Sequence, residues 1–452
     1  MGFGREGPRS ASVASVAASR LPRLTMEEVS KHNRLGRSPE ASDMWLVNNN
    51  KVYDITKWAF QHPGGVRVIT SWAGQDASTV IESFHIDRNM LSKSMKGLCV
   101  GQLVDASPSV DEDFLALHRK YTKQGLFKPN PLFYAAHFLH IIGFYALAYL
   151  CASHFGIGWL PTLTTALLIT CGQAQAGWLQ HDFGHLSVFP NSQLNHLAHQ
   201  VVIGTLKGAS SSWWNHRHFR HHSKPNVVSH DPDIDIAYLF MLGEKIPKWW
   251  AEKKKGFMPY DWQHRYWFII GPPLLLPTYF HYDNIKWVFG RKKWVDLLFI
   301  AGFFTWFFYL FTPIYGGWGT FGLYMLSRTI ESQWFTWVTQ MNHIPMSPSI
   351  DRDQRHPWVA QQSLATCNVE HSWFNDWFTG HLNFQVEHHL FPTMPRHNYV
   401  VVADEVKALC AKHGVPYETK TLYGAFAAIV ESLQNSGQLW KDTYQEVHGK
   451  HA

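Results

Sequence analysis

The chain has 452 residues, of which 15% are aromatic and only 16% charged, with 21 Trp, 30 Phe and 28 His. That length admits two or three domains, and the excess of aromatic over charged side chains points toward a bilayer, while a mean hydropathy of −0.20 requires polar and apolar stretches to be segregated along the chain. The net charge of +6 sits in short runs such as Lys253-Lys254-Lys255 and Arg291-Lys292-Lys293, which excludes the dense basic face of a nucleic-acid binder and suits cytosolic membrane flanks.

Residues 1–24 are rich in Ser, Ala and Arg and hold no apolar stretch of signal-peptide length, so a disordered leader is expected. Residues 25–104 read as a compact soluble domain. Short strands are expected near 44–46 and 52–55 around Asn48-Asn49-Asn50, with helices after Gly65 and after Asp76. Residues 105–130 read as a linker carrying a helix with Phe114, Leu117 and Tyr121 on one face. From 131 to 452 the pattern is that of a membrane domain. Spans are expected at about 132–150, 160–179, 294–315 and 317–340, each near the length a hydrocarbon core of roughly 30 Å demands. The apolar stretch 266–282 holds Pro272, Pro273 and Pro277, which interrupt backbone hydrogen bonding, and is expected to lie at the interface. That choice puts both flanking His-rich regions on one side of the membrane and keeps the Arg291 run cytosolic. Arg328 and Glu331 sit awkwardly in the last span. The expected fold is therefore multidomain: a small α+β domain, then an all-α membrane domain with about four spans, a cytosolic His-rich cap and both termini cytosolic. The five Cys are scattered, with no CxxC, which excludes a disulfide framework and a thiolate zinc site.

The sharpest motif of the soluble part is His62-Pro63-Gly64-Gly65, followed by His85. Two imidazoles on facing helix–loop elements can clamp a haem iron from both sides, and the Gly pair lets backbone approach the porphyrin. A bis-His iron has no vacant position for O₂, so such a site transfers electrons. With Trp45, Tyr53-Asp54-Ile55-Thr56 and Ala73-Gly74-Gln75-Asp76-Ala77, the segment 25–104 resembles the cytochrome b5 domain. Val66 departs from the Glu or Gln often found there.

Three histidine clusters lie beside the apolar segments. His181-Asp182-Phe183-Gly184-His185 places two rings on one helical face, and His218-Phe219-Arg220-His221-His222 repeats that geometry. His381, Gln385, His388 and His389 step by helical spacing again, and His343 stands alone after the last apolar stretch. Ionisable groups beside a membrane are costly and presumptively functional. So many imidazoles exceed one zinc, no HExxH is present, and two irons fit the count. The sequences HDFGH, HFRHH and QVEHH resemble the three histidine boxes of membrane fatty acyl desaturases. Gln385 heading the third box, with a b5-like domain in front, resembles the front-end (delta-5/delta-6) acyl-CoA subgroup. So do Trp213-Trp214-Asn215-His216-Arg217-His218, Thr339-Gln340-Met341-Asn342-His343-Ile344-Pro345 and Leu390-Phe391-Pro392-Thr393-Met394-Pro395.

This resemblance implies that His181, His185, His218, His221, His222, His388 and His389 are catalytic iron ligands, with His343 and His381 as further ligands. Gln385 would be a weak ligand or orient a water behind the metal. His62 and His85 would hold haem b. His196, His199, His216 and His397 take structural roles. With no nucleotide-binding glycine loop, electrons would come from NADH through a separate cytochrome b5 reductase, pass through the haem, and serve O₂-dependent insertion of a cis double bond into a polyunsaturated acyl-CoA at an endoplasmic reticulum membrane. Arg217, Arg220 and Lys224 are candidates for the CoA head group by location. A b5-fused sphingolipid desaturase or acyl hydroxylase, or a non-catalytic electron carrier, would show the same broad features.

Overall fold

The computed structural model describes residues 21–106, 109–346, 348 and 356–449. Most of the expected leader lies outside the described residues. Two compact units divide after Pro108.

In the first unit, β1 (Arg23–Leu24), β2 (Asn33–Arg34), β3 (Asp43–Asn48), β4 (Lys51–Asp54) and β5 (Cys99–Leu103) form one sheet in the order β1-β5-β4-β3-β2. Strand β1 runs parallel to β5 and the other pairs are antiparallel. Asn48 pairs with Lys51, so the β3–β4 loop is Asn49-Asn50, both at positive φ (50° and 58°). A two-residue hairpin loop of that hand matches strand twist, and Asn tolerates it. Among the described residues of this unit the α-helices are α1 (Met26–Lys31), α2 (Val66–Thr70), α3 (Ser78–Phe84) and α4 (Arg88–Met95). Its core packs Val29, Val47, Val52 and Leu103 together.

The second unit is mostly helical. Helix α5 (Val110–Gln124), expected within a linker, belongs to this unit's core. Phe114 and Tyr121 are buried with ring centroids 5.0 and 5.5 Å from Phe391, and the Asp111 carboxylate accepts from the Trp358 and Val359 N–H groups at 2.9 Å each. Helices α6 (Pro131–Phe155) and α7 (Trp159–Gly184) form a hairpin, followed by α8 (Ser192–His199), α9 (Ser211–Ser223) and α10 (Lys245–Glu252).

Next come α11 (Gln263–Leu274) and α12 (His281–Gly290), joined by a π-helical stretch Leu275–Phe280. Pro272 and Pro273 therefore sit inside a helix, in spite of the backbone donors they lack. The wider turn accommodates the missing donors. Helix α13 (Trp294–Gln340) breaks at Gly316, where φ is 67° and ψ 169°. Phe303 and Phe307 lie 6.0 and 5.7 Å from Tyr324. A straight helix would separate residues 307 and 324 by about 25 Å at 1.5 Å per residue. The chain therefore folds back at Gly316, and Glu331 pairs with both Arg328 and Lys207 in the buried interior.

Among the described residues, two helices, Pro131–Phe155 and Trp294–Gln340, are long and apolar enough to cross a membrane. Helix α7 is more polar because Gln173, Gln175 and Gln180 lie on it, buried against neighbouring helices. Leu132, Leu139, Leu298, Tyr309 and Trp318 are exposed on α6 and α13, an apolar outside of the kind lipid would cover. The unit closes with α14 (Trp358–Leu364), α15 (Trp373–Thr379), α16 (Gln385–Leu390), α17 (Tyr399–Lys412) and α18 (Leu422–His448). A short parallel pair, β6 (Asn368–Val369) with β7 (Thr419–Lys420), makes this unit not purely helical.

Candidate functional site

In the first unit, His62 follows a short helical turn and leads into Pro63-Gly64-Gly65, while His85 caps the end of α3. Each ring donates its Nδ1–H to a backbone carbonyl, His62 to Gly65 at 3.3 Å and His85 to Ile81 at 3.0 Å. Both Nε2 atoms are thereby left as acceptors. The ring centroids stand 6.2 Å apart. Two metal–nitrogen bonds of about 2 Å, plus the distance from each nitrogen to its ring centre, give much the same spacing. Burial, then the neighbouring His85, pushes His62 down to about 4, so the ring is neutral and ready to ligate. A Cβ at Gly64 would lie 2.9 Å from the His62 ring, and Gly65 has φ +100°. The residues present fit a bis-His haem. Trp45 stands elsewhere, stacked on His32 at 3.6 Å.

In the second unit, the histidines gather into two buried groups. His181, His185, His218, His222 and His388 form one; His221, His343 and His389 form the other; within each, the ligand atoms all lie within 4.8 Å of one another. Successive helix residues point about 100° apart, so each His-His pair divides between the groups. On α9, His218 and His222 face the first group and His221 the second. On α16, His388 goes to the first and His389 to the second. The one-face geometry expected of the second box holds for His218 and His222, while the helix turns His221 away. The groups are adjacent, since His222 and His389 stack at 4.2 Å.

The nitrogens of the first group crowd closely: His218 Nε2 is 2.7 Å from His185 Nε2 and 3.0 Å from His222 Nε2. In the second group every ring is held from behind. His221 Nδ1 lies 2.8 Å from the Asp231 carboxylate. His343 donates to the Ala365 carbonyl at 3.0 Å and His389 to the Gln362 amide oxygen at 2.8 Å. The Gln362 amide nitrogen also donates to the His222 carbonyl at 3.2 Å, linking the second and third boxes. Such acceptors fix the tautomer and aim Nε2 at the centre. Burial pushes His185 and His343 down to about 3, aided by the charge of His221. Burial also depresses His221, but Asp231 outweighs it and holds that ring up.

Gln385 joins the second group, its amide 2.8 Å from His343 Nε2 and 3.4 Å from His389 Nε2. The other amide atom, Oε1, is buried and has no hydrogen-bond partner among the described residues; rotating the amide by half a turn aims that oxygen at the same centre. His381, expected as a ligand, joins neither group. Helix α15 ends at Thr379, and Gly380 and His381 both adopt left-handed φ (62° and 66°), so the helical step from 381 to 385 does not exist. The His381 ring lies against Phe133 at 5.8 Å and near Asp376 at 3.9 Å.

The supporting shell escaped the sequence reading. Asp231, Gln362 and Tyr399 (3.2 Å from His388 Nδ1) lie far along the chain from the rings they hold or carry no motif. Trp214 stacks on His218 at 4.1 Å, and a Cβ at Gly184 would meet it at 2.2 Å, which is why the first box needs glycine there. Arg217 is committed to Asp233 at 3.0 Å and Asp283 at 3.5 Å, and Arg220 donates to the His230 carbonyl at 3.0 Å; both are engaged within the protein. His216 stacks on Trp287 at 4.4 Å, His199 bonds Gln180 at 2.6 Å, and His397 accepts from the Asn130 N–H at 3.1 Å.

Two adjacent imidazole-rich centres suit iron, zinc or copper, and a bis-His clamp that fits a haem is part of the same chain. The fatty acid desaturase family model matches residues 157–421, more than half of the chain, and the cytochrome b5-like haem/steroid binding domain model matches residues 25–104. The chain thus belongs to the fatty acid desaturase family, with a cytochrome b5-like domain fused at its N-terminal side.

Proposed function

We propose that this desaturase is a front-end acyl-CoA enzyme that inserts a cis double bond between the carboxyl end and an existing double bond of a polyunsaturated acyl chain, at the delta-6 or delta-5 position. The observation that carries the reading is the pair of adjacent imidazole groups, with the Gln385 amide beside His343 and His389. His181, His185, His218, His222 and His388 hold one iron; His221, His343 and His389 hold the other, with Gln385 as a weak ligand or water-orienting amide. His381 is left out of the set. Two non-haem irons would supply the O₂ activation that removes two hydrogens from an unactivated CH₂–CH₂ pair.

The protein's part is placement. Back-bonds to His221, His343, His389 and His388 hold the centre rigid, and the buried surroundings keep water from it. Regioselectivity follows from which carbons are held beneath the groups. His62 and His85 hold haem b in a purely electron-transferring site, supplied by NADH through cytochrome b5 reductase. The topology is four spans, with α7 and the two arms of α13 joining α6, both termini cytosolic, in the endoplasmic reticulum. The segment that includes α11 and α12 lies along the interface. Its exposed Phe268, Ile269 and Tyr282 support that placement.

The test is expression in a host that makes no polyunsaturated acids, fed with 18:2, 18:3 and 20:3 acids, with double-bond positions read by mass spectrometry. New double bonds on the carboxyl side of existing ones are expected. A hydroxylated product, or desaturation of sphingoid bases alone, would overturn the reading.

A further inference from the structure

The two imidazole groups differ in what stands behind them. In the second group, His221 backs onto a buried carboxylate, Asp231 Oδ2 at 2.8 Å, with Asp233 Oδ2 3.8 Å away. Asp231 is itself fixed, accepting from the Asn226 N–H at 2.9 Å and the Asp233 N–H at 2.8 Å. It is 1% exposed, so its charge is little screened by water. Its neighbours in that group, His343 and His389, also donate at Nδ1, to neutral acceptors. In the first group, His388 faces the neutral Tyr399 hydroxyl, and His185 Nδ1 has no hydrogen-bond partner among the described residues. A carboxylate behind a ligating imidazole raises the basicity of the ring and fixes its orientation.

We propose that the chain holds two unequal iron sites, and that Asp231, acting through His221, is the positioning residue that makes the second site the more electron-rich. This rests on the reading of both groups as iron sites. The second site has fewer rings but the better-supported ones, and it favours the higher oxidation state of its metal. Of the five rings of the first site, His388 has a neutral hydroxyl behind it and His185 no Nδ1 partner among the described residues. The amide of Gln385, a poorer donor than a fourth imidazole would be, sits in the site where Asp231 compensates.

The test uses full-length protein with its haem, loaded with ⁵⁷Fe in detergent. Beside the haem signal, two Mössbauer doublets of equal area are expected. Asp231→Asn keeps an oxygen for His221 Nδ1 while removing the charge. It should move one doublet and leave the other, and weaken the hold on one iron by about 10–100-fold in chelator competition. Gln362→Glu, which puts a carboxylate behind His389 in the same group, should shift that same doublet and serves if Asp231→Asn does not fold. A single doublet in the unmodified protein would overturn the proposal, as would equal movement of both doublets or simultaneous release of both irons. Absence of non-haem iron from the unmodified protein would instead refute the iron reading itself.

Discussion

Gly184 ends α7 one residue before His185, and the smallest possible side chain there is already too large. A Cβ at this position lies 2.2 Å from Trp214 Cζ3 and 2.8 Å from its Cη2. Trp214 has little room to yield, because it stacks on His218 at 4.1 Å and stands edge-on to His181 at 5.5 Å, His185 at 5.9 Å and His199 at 5.2 Å. Overpacking by one methyl in such a place costs about 1–3 kcal/mol, and any motion of the indole disturbs His181, His185 and His218, three rings of the first histidine group. Gly184→Ala should therefore lose much of its non-haem iron and its product formation while keeping its haem, which is bound by the other unit. Trp214→Phe removes the colliding atoms. The double variant should hold more iron than Gly184→Ala alone, with a coupling of about 0.5–3 kcal/mol between the two positions. Metal analysis against haem absorbance, together with product yield from fed 18:2, reads this out. Full iron and full activity in Gly184→Ala would refute the reasoning, as would a double variant no better than the single.

Further outcomes follow from the same geometry. Gly64→Ala crowds the His62 ring at 2.9 Å and should lower haem occupancy, read by the Soret band, with non-haem iron unchanged. His381→Ala should keep full iron, because that ring joins neither group; loss of one iron per chain would return it to the ligand set. Metal-free protein should lose stability on acidification. His185 and His343 stay neutral when folded, pushed down to about 3, whereas the unfolded chain protonates them below about pH 6.5. Each contributes a loss of about 1.4 kcal/mol per pH unit below that point until its folded pKa is reached. His221, held up by Asp231, works in the opposite direction. Thermal midpoints measured from pH 7.5 to 5.5 should fall, and a flat profile would contradict the buried neutral rings.

The parts of this molecule that were readable in sequence are those with local causes. The Asn49-Asn50 hairpin is a two-residue problem with a two-residue solution. The haem clamp announces itself because His62 needs two glycines beside it. The histidine clusters stand out because ionisable groups are rare beside apolar segments. Other features depend on contacts between distant residues. The division of His221 from His222, and of His388 from His389, follows from helix rotation against partners that arrive from elsewhere in the chain. Left-handed Gly380 and His381 look in sequence like one more turn of helix. Pro272 and Pro273 look like breakers until the π-helical stretch after them is seen. Asp231 and Gln362 carry no motif at all, because a supporting residue needs only to reach a ring nitrogen, from any place in the chain.

The most direct measurement is the ratio of non-haem iron to haem in purified full-length protein. Two adjacent histidine groups and one bis-His clamp predict about two non-haem irons for each haem. Haem with no other iron, or a single non-haem iron per chain, would contradict a paired centre built from both groups.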